Sequence, residues 1–204
     1  RRPPRSTLSS SSAASDVYKR QENTLTESSQ KDDNTIAIFL NEDLMKNSQK
    51  KLLDSTKSIF EPGEYEVNNI PIQSHAVKLN TENVDESTNI YSVISEGMTI
   101  CYLNEISKIS IPANVTESIG KIDILVCISN DSSDQSVESI NSLLSSIDPK
   151  VLLIAEKGSN DETTEIYSKL IKGLGQTSED PSINANITKS SIGDSLRVIN
   201  LKKS

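Results

Sequence analysis

The sequence has 204 residues and a net charge of −8 at pH 7, and its length suits one ordinary domain with a hydrophobic core better than two. Lys and Arg form no recurring cluster in the predicted domain, so nucleic acid is not an expected partner. No apolar run approaches the roughly 20 residues that a membrane-spanning helix needs. We therefore expect no membrane association and predict a soluble protein.

The first 34 residues are predicted to lie outside the domain. Residues 1–21 are rich in Arg and Ser but have no apolar segment of the kind found in secretory signals. They resemble a translated sequencing-adapter tail fused to a metagenomic reading frame, so we exclude them from the fold prediction. Residues 22–34 are polar and predicted to be disordered, which gives a domain over residues 35–204.

The first half of this domain predicts strands joined by tight turns. Residues 35–40, "TIAIFL", form an apolar run of strand length, and a helical pattern follows in residues 41–55. After the Pro62-Gly63 corner, "EYEV" and "IPIQSHAV" flank Asn68-Asn69, and "TNIYSVIS" and "MTICYL" flank Glu96-Gly97. Both pairs predict antiparallel hairpins.

From residue 111 onward, apolar runs of strand length alternate with helical patterns. The predicted strands are "DILVCIS" and "KVLLIA", and the predicted helices are "IPANVTESIG", "SSDQSVESINSLLSSI" and "NDETTEIYSKLIKGL". Two more strand-like pieces, "NITKSS" and "LRVINL", follow a loop over residues 173–182. This alternation is typical of crossover units on a sheet that is covered on both faces. In the second helix the apolar residues fall on one face, which we expect to pack on that sheet: Val137, Ile140, Leu143, Leu144 and Ile147.

Cys101 and Cys127 both lie inside apolar, strand-like runs. Two free buried thiols are the simpler interpretation, because free cysteines are common in cores. A disulfide is the alternative. The preferred free thiols predict a cytoplasmic protein.

Four segments, in this order and spacing, carry a resemblance to a known family: "GEYEVNNIPIQ", "NIYSVISEGMTICYL", "IGKIDILVCIS" and "IDPKVLLIAEKG". They are similar to the β-lactamase superfamily domain of bacterial metallo-β-lactamase-fold hydrolases akin to ascorbate-6-phosphate lactonase. The resemblance covers roughly residues 35–158. It implies an α/β fold, an αββα sandwich, here with the N-terminal strands of the fold missing. It also implies hydrolysis assisted by Zn or Mn.

The residues that bind metal in this family are replaced here. Aligned with the family's "SHxHxDH" loop, "FLNEDLM" has Leu40, Glu42, Leu44 and Met45 at the ligand positions, and of these four only Glu42 could ligate a metal. In "CYLNE", Glu105 stands at the position of the metal-bridging Asp, and in "IAEKG" Glu156 stands at a His position. The single histidine, His75, lies within the predicted strand "IPIQSHAV", which favours a strand residue over a ligand.

Three functional hypotheses follow. The first is a pseudo-hydrolase that keeps the scaffold, has no catalytic residues and no cofactor, and acts in binding or assembly. The second is a metal-dependent hydrolase of a phosphate ester or lactone, in which Glu42, Glu105 and Glu156 hold Mn or Mg, because oxygen ligands suit these ions better than zinc. The third is a module that binds a partner, or a second copy of itself, through an exposed strand edge. A generic α/β domain that matches the motifs by chance is a further alternative.

Overall fold

A computed structural model describes residues 36–38, 57–67, 69–80, 86–104, 109–129, 134–156, 161–176, 180, 182 and 185–201. The strands are β1 (Ile36–Ile38), β2 (Lys57–Ile59), β3 (Gly63–Val67), β4 (Ile70–Lys78), β5 (Ser87–Ser95), β6 (Met98–Asn104), β7 (Ile124–Ser129), β8 (Val151–Glu156) and β9 (Arg197–Leu201). The helices are α1 (Ala113–Ile119), α2 (Asp134–Ile147) and α3 (Asp161–Gly173), and a 3-10 turn covers Lys189–Ser191.

Seven strands form one mixed sheet in the sequential order β3-β4-β5-β6-β7-β8-β9. Neighbouring strands from β3 to β6 are antiparallel, and those from β6 to β9 are parallel. The predicted hairpins and crossover units are therefore parts of one sheet rather than of separate domains, as expected from the sequence. Strands β1 and β2 pair in parallel as a second, two-stranded sheet.

Two-residue turns explain the hairpins. The β5–β6 turn consists of Glu96 (φ 51°) and Gly97 (φ 73°), both in the left-handed region that matches the twist of paired strands. In the β3–β4 turn, Asn69 has a φ of 62°, and Asn tolerates this conformation better than most residues. The sequence-based prediction of both turns is confirmed.

The large sheet has a hydrophobic core on each face. On one face its apolar residues pack with Ile59 of β2 and with Ile36 and Ile38 of β1, so the two sheets form a sandwich. On the other face they pack with residues of the three helices. The predicted apolar face of α2 is confirmed, because Ile140 and Leu144 are buried in this second core and the other three members of that face pack against it.

One strand prediction is wrong. The segment "NITKSS", residues 186–191, is extended at first but ends in the 3-10 turn Lys189–Ser191 and joins neither sheet. The Thr188 and Ser191 side chains and backbone bond each other across this turn. These local bonds replace the hydrogen bonds of a strand ladder. The helix predicted in residues 41–55 lies outside the described residues.

Both cysteines are free and buried, which confirms the simpler interpretation. In the register of β6 and β7, Cys101 pairs with Leu125 and Leu103 pairs with Cys127, so the two thiols are diagonal rather than directly opposite. No helix among the described residues is long and apolar enough to cross a membrane.

Candidate functional site

The carboxyl ends of the parallel strands define the candidate site. Strands β6, β7 and β8 end at Asn104, Ser129 and Glu156 along one edge of the sheet. Ligands of α/β sheets commonly bind outside this edge, where the loops that follow the strands converge. The candidate site is therefore this edge of the sheet.

Glu156 is the only one of the three predicted ligands within the described residues. It is the last residue of β8 and pairs in register with Ser129 of β7. Glu42 and Glu105 lie outside the described residues. Asn104, which precedes Glu105 in the sequence, pairs with Ile128, the residue before Ser129. Because β7 separates β6 from β8, the ends of these two strands lie about 10 Å apart.

The single histidine is far from this edge. His75 lies in β4 and pairs with Ile90 of β5. Four strand spacings separate β4 from β8, or about 19 Å. Zinc sites usually combine imidazole or thiolate ligands, and both thiols are buried within the sheet. The residues present therefore do not fit the zinc site that the family resemblance implies. Within the described ranges, no three His, Cys, Asp or Glu residues form a group that could hold a metal.

Asp123 is the one buried charged residue among those the structure describes, and it lies at the opposite edge. It immediately precedes β7 and is 6% exposed. Its carboxylate accepts a 3.0 Å hydrogen bond from the backbone N–H of Thr99 and bonds of 3.0 and 3.1 Å from the Lys189 amine. Burial raises the pKa of Asp123, but the Thr99 N–H, Lys189 and the nearby charge of Lys121 together lower it below the ordinary value.

The backbone of Asp123 also joins strands. Its N–H donates to the Thr99 carbonyl, and its own carbonyl accepts bonds from the N–H groups of Lys150 and Val151. This residue therefore ties the amino ends of β6, β7 and β8. About 20 Å of extended chain separate it from Ser129 at the edge that carries Glu156, so Asp123 lies outside the candidate site.

A second buried polar group fixes the Pro62-Gly63 corner. The Tyr91 hydroxyl donates a 3.1 Å bond to the Phe60 carbonyl, and the Asn89 amide donates to the same carbonyl. The Tyr65 hydroxyl donates a 2.6 Å bond to the Glu61 carbonyl. Burial raises the pKa of Tyr91, so its phenol stays neutral. The corner is thus held by side chains of the large sheet, and we assign it a structural role.

A groove of about 300 Å³ opens on the helix side of the sheet. Four aliphatic residues and four serines line it. The lining residues are Leu103, Ile109, Ser110, Ile111, Ser139, Ser142, Leu143 and Ser146. Among the described lining residues there is no acid, base or thiol, so none of them could activate a serine hydroxyl as a nucleophile.

Known structures resemble this fold. The chain superposes with a TM-score of 0.52 on a proposed Zn-dependent hydrolase of the metallo-β-lactamase superfamily from Thermotoga maritima, at 13% identity and over 82% of each chain. It also resembles a proposed metal-dependent hydrolase from Parabacteroides distasonis, with a TM-score of 0.48 and 16% identity over 86% of this chain and 82% of that one. No family model and no curated protein matches the sequence. The likeness to the Thermotoga protein is one of fold.

Proposed function

We propose that this chain, which has the metallo-β-lactamase fold, is a pseudo-hydrolase: a scaffold for binding or assembly that lacks the metal site of the hydrolases it resembles. The observation that carries this proposal is the position of the only histidine. His75 lies in the antiparallel half of the sheet, about 19 Å of strand spacings from β8. A fold does not confer an activity, which depends on the residues at its site.

Replacement of the ligands supports the same proposal. At the edge where the resembled hydrolases carry their site, the strands of this chain end in Asn104, Ser129 and Glu156. In the sequence, Glu42 and Glu105 stand at the other metal-ligand positions of the family. None of these side chains is the imidazole that catalytic zinc sites use. With the thiols buried in the core, we also propose that the protein works in the cytoplasm.

A second candidate function is favoured by the strand register. Glu156 ends β8 at this edge. Strand β6, which leads to Glu105, ends at the same edge on the other side of β7. Carboxylate oxygens are the ligands that Mn²⁺ and Mg²⁺ prefer. The alternative is therefore a carboxylate-only metal site that hydrolyses a phosphate ester or a lactone.

Metal binding distinguishes the two functions. The full chain would be dialysed, soaked separately in Zn²⁺, Mn²⁺ and Mg²⁺, and analysed for bound metal, and its melting temperature would be measured with each ion. The pseudo-hydrolase predicts substoichiometric metal and no change in melting temperature. Stoichiometric Mn²⁺ or Mg²⁺ would instead support the carboxylate site and contradict our main proposal.

Two variants make this test specific. A triple Glu42→Gln, Glu105→Gln and Glu156→Gln variant removes all three carboxylates with little change in shape. A control with Glu64→Gln, Glu66→Gln and Glu96→Gln removes three exposed carboxylates elsewhere. Loss of bound metal in the first variant alone would assign it to the predicted edge. Equal loss in both would indicate nonspecific binding to an acidic protein, which leaves the pseudo-hydrolase as the better description.

A further inference from the structure

Residues 185–192, which we call the strap, cross the sandwich face of the large sheet before β9. Ala185 and Ile187 are 8% and 6% exposed and belong to the same core as Val151, Leu153 and Ile199 of β8 and β9. The strap therefore covers apolar sheet surface that would otherwise face water.

The two ends of the strap are fixed by backbone hydrogen bonds. Before it, the N–H of Ser182 donates to the Asn200 carbonyl of β9. After it, the N–H of Arg197 donates to the Lys150 carbonyl beside β8. The segment between these bonds is thus anchored at both ends, and its middle can move without displacing the strands.

The strap itself bonds mainly to itself. The Ser191 N–H donates to the Thr188 carbonyl, the Thr188 N–H donates to the Ser191 hydroxyl, and the Thr188 and Ser190 hydroxyls lie 3.1 Å apart. Within the described ranges, its hydrogen bonds to the rest of the chain are those from Lys189 to Asp123. A segment without ladder bonds has fewer backbone bonds to break than a strand when it opens locally.

The Asp123–Lys189 contact is suited to hold such a segment. Both carboxylate oxygens accept from the amine, at 3.0 and 3.1 Å, and the Asp123 side chain is only 9% exposed while that of Lys189 is 55% exposed. Charge-assisted bonds are stronger than neutral ones, and a buried carboxylate depends on its cation. The Lys189 head group is nevertheless reachable from solvent.

We propose that the strap is a conformational device: it opens as a unit when the Asp123–Lys189 ion pair is broken, and it uncovers the sandwich face of β8 and β9 while the large sheet stays folded. This inference does not depend on whether the candidate site binds metal, because the ion pair lies at the opposite edge of the sheet. Opening of the strap would give the proposed scaffold an apolar surface that is covered in the closed state.

Thiol labelling of the full chain tests this inference. Ile187→Cys places a reporter on the buried side of the strap, and the native Cys101 and Cys127, which are 0% exposed, report deeper opening. The rate at which each thiol reacts with an alkylating reagent would be measured by mass spectrometry, with and without Lys189→Met. We expect Lys189→Met to speed labelling at position 187 roughly tenfold or more, because a charge-assisted bond is lost, and to leave both native thiols unchanged.

Lys150→Met is the matched control. Lys150 pairs with Asp148 at 3.1 Å near the same edge, and the Asp148 side chain is 85% exposed, so this change removes an ion pair that does not involve the strap. Labelling at position 187 should stay at its original rate in that variant. If Ile187→Cys prevents folding, Ala185→Cys supplies the reporter.

Two results would overturn the inference. Equal labelling rates with and without Lys189→Met would show that the ion pair does not hold the strap. A parallel rise at all three thiols would show that the substitution destabilises the whole domain rather than releasing one segment.

Discussion

The hydroxyl of Tyr91 lies 3.1 Å from the carbonyl oxygen of Phe60, 31 residues earlier in the sequence. Tyr91 is fully buried in β5, whereas Phe60 follows β2 of the smaller sheet. This bond therefore joins the two sheets of the sandwich directly before the Pro62-Gly63 corner. Asn89 donates to the same carbonyl, so one buried acceptor is shared by two donors.

We predict that Tyr91→Phe lowers the free energy of unfolding by about 0.5–1.5 kcal/mol, because the bond to the Phe60 carbonyl is lost while Asn89 still satisfies that carbonyl. Asn89→Ala should cost more, about 1–3 kcal/mol, since it also removes buried side-chain volume. Urea denaturation measures both. Tyr65→Phe is the control, because it deletes an exposed hydroxyl bond at the same corner. An equal loss of unfolding free energy in this variant would show that burial does not strengthen the Tyr91 bond.

Asp123 predicts an acid-dependent part of the stability. Its pKa in the folded state is below the ordinary value, so between the two values the unfolded chain binds more protons than the folded chain. The stabilisation is complete above the unfolded pKa of about 3.9 and is lost as the pH falls toward the folded pKa.

We therefore expect Asp123→Asn to cost about 1–3 kcal/mol at pH 7, since a hydrogen-bonded charge is lost, and to weaken the dependence of stability on pH below about 4. Melting temperatures between pH 2.5 and 7 measure this difference. Asp194→Asn, at an exposed position, should follow the original curve. An Asp123→Asn curve parallel to the original would show that the carboxylate is not stabilised by folding.

Local patterns were sufficient to predict most of the fold. The turns at Asn68-Asn69 and Glu96-Gly97 combine turn residues with alternating strands on either side, and the helix α2 has a clear apolar face. The hairpins and the crossover helices could be predicted for this reason. Strand β2 has only three residues, and its pairing with β1 depends on a contact between distant segments, so its sequence gives no periodic pattern to recognise.

The polar contacts were not predictable from local patterns. Asp123 and Lys189 are 66 residues apart, and neither residue lies in a motif that indicates its partner. The wrong strand at residues 186–191 has a related cause, because Thr188 and Ser191 satisfy each other locally. At the candidate site, the strand order explains why Glu156 lies at the edge, but the chemistry of the site depends on side chains from separate loops.

Glu96 offers a stabilising substitution. Its φ of 51° is unfavourable for a residue with a long side chain, and Gly97 follows at 73°, so Asn-Gly is the preferred pair for this turn. We expect Glu96→Asn to raise the free energy of unfolding by about 0.5–1 kcal/mol. Glu96→Gln removes the same charge without this conformational advantage and should gain little. Equal gains in both variants would attribute the effect to charge instead.

The two thiols should be unreactive in the folded protein. Burial raises the pKa of Cys101 to about 12, and burial together with the nearby Cys101 raises the pKa of Cys127. The thiolate is the reactive form, so we expect no reaction with a disulfide reagent at pH 8 until denaturant unfolds the domain. The released chromophore counts the thiols, with Cys101→Ala and Cys127→Ala as single-thiol controls. Rapid reaction of either thiol without denaturant would contradict its burial.

Asn200 is an exception to the usual satisfaction of buried polar groups. It is 1% exposed in β9, and neither its amide nitrogen nor its amide oxygen has a hydrogen-bond partner in the described part of the chain. An unsatisfied buried amide costs about 1–3 kcal/mol. We therefore predict that Asn200→Val, which suits a strand, raises the free energy of unfolding by about 1 kcal/mol. Asn200→Asp should lower it, because a charge would be buried without a cation. If the amide is unsatisfied, urea denaturation should show changes of opposite sign in the free energy of unfolding of the two variants. A loss of stability in Asn200→Val would instead mean that the amide makes a bond worth more than the added apolar burial.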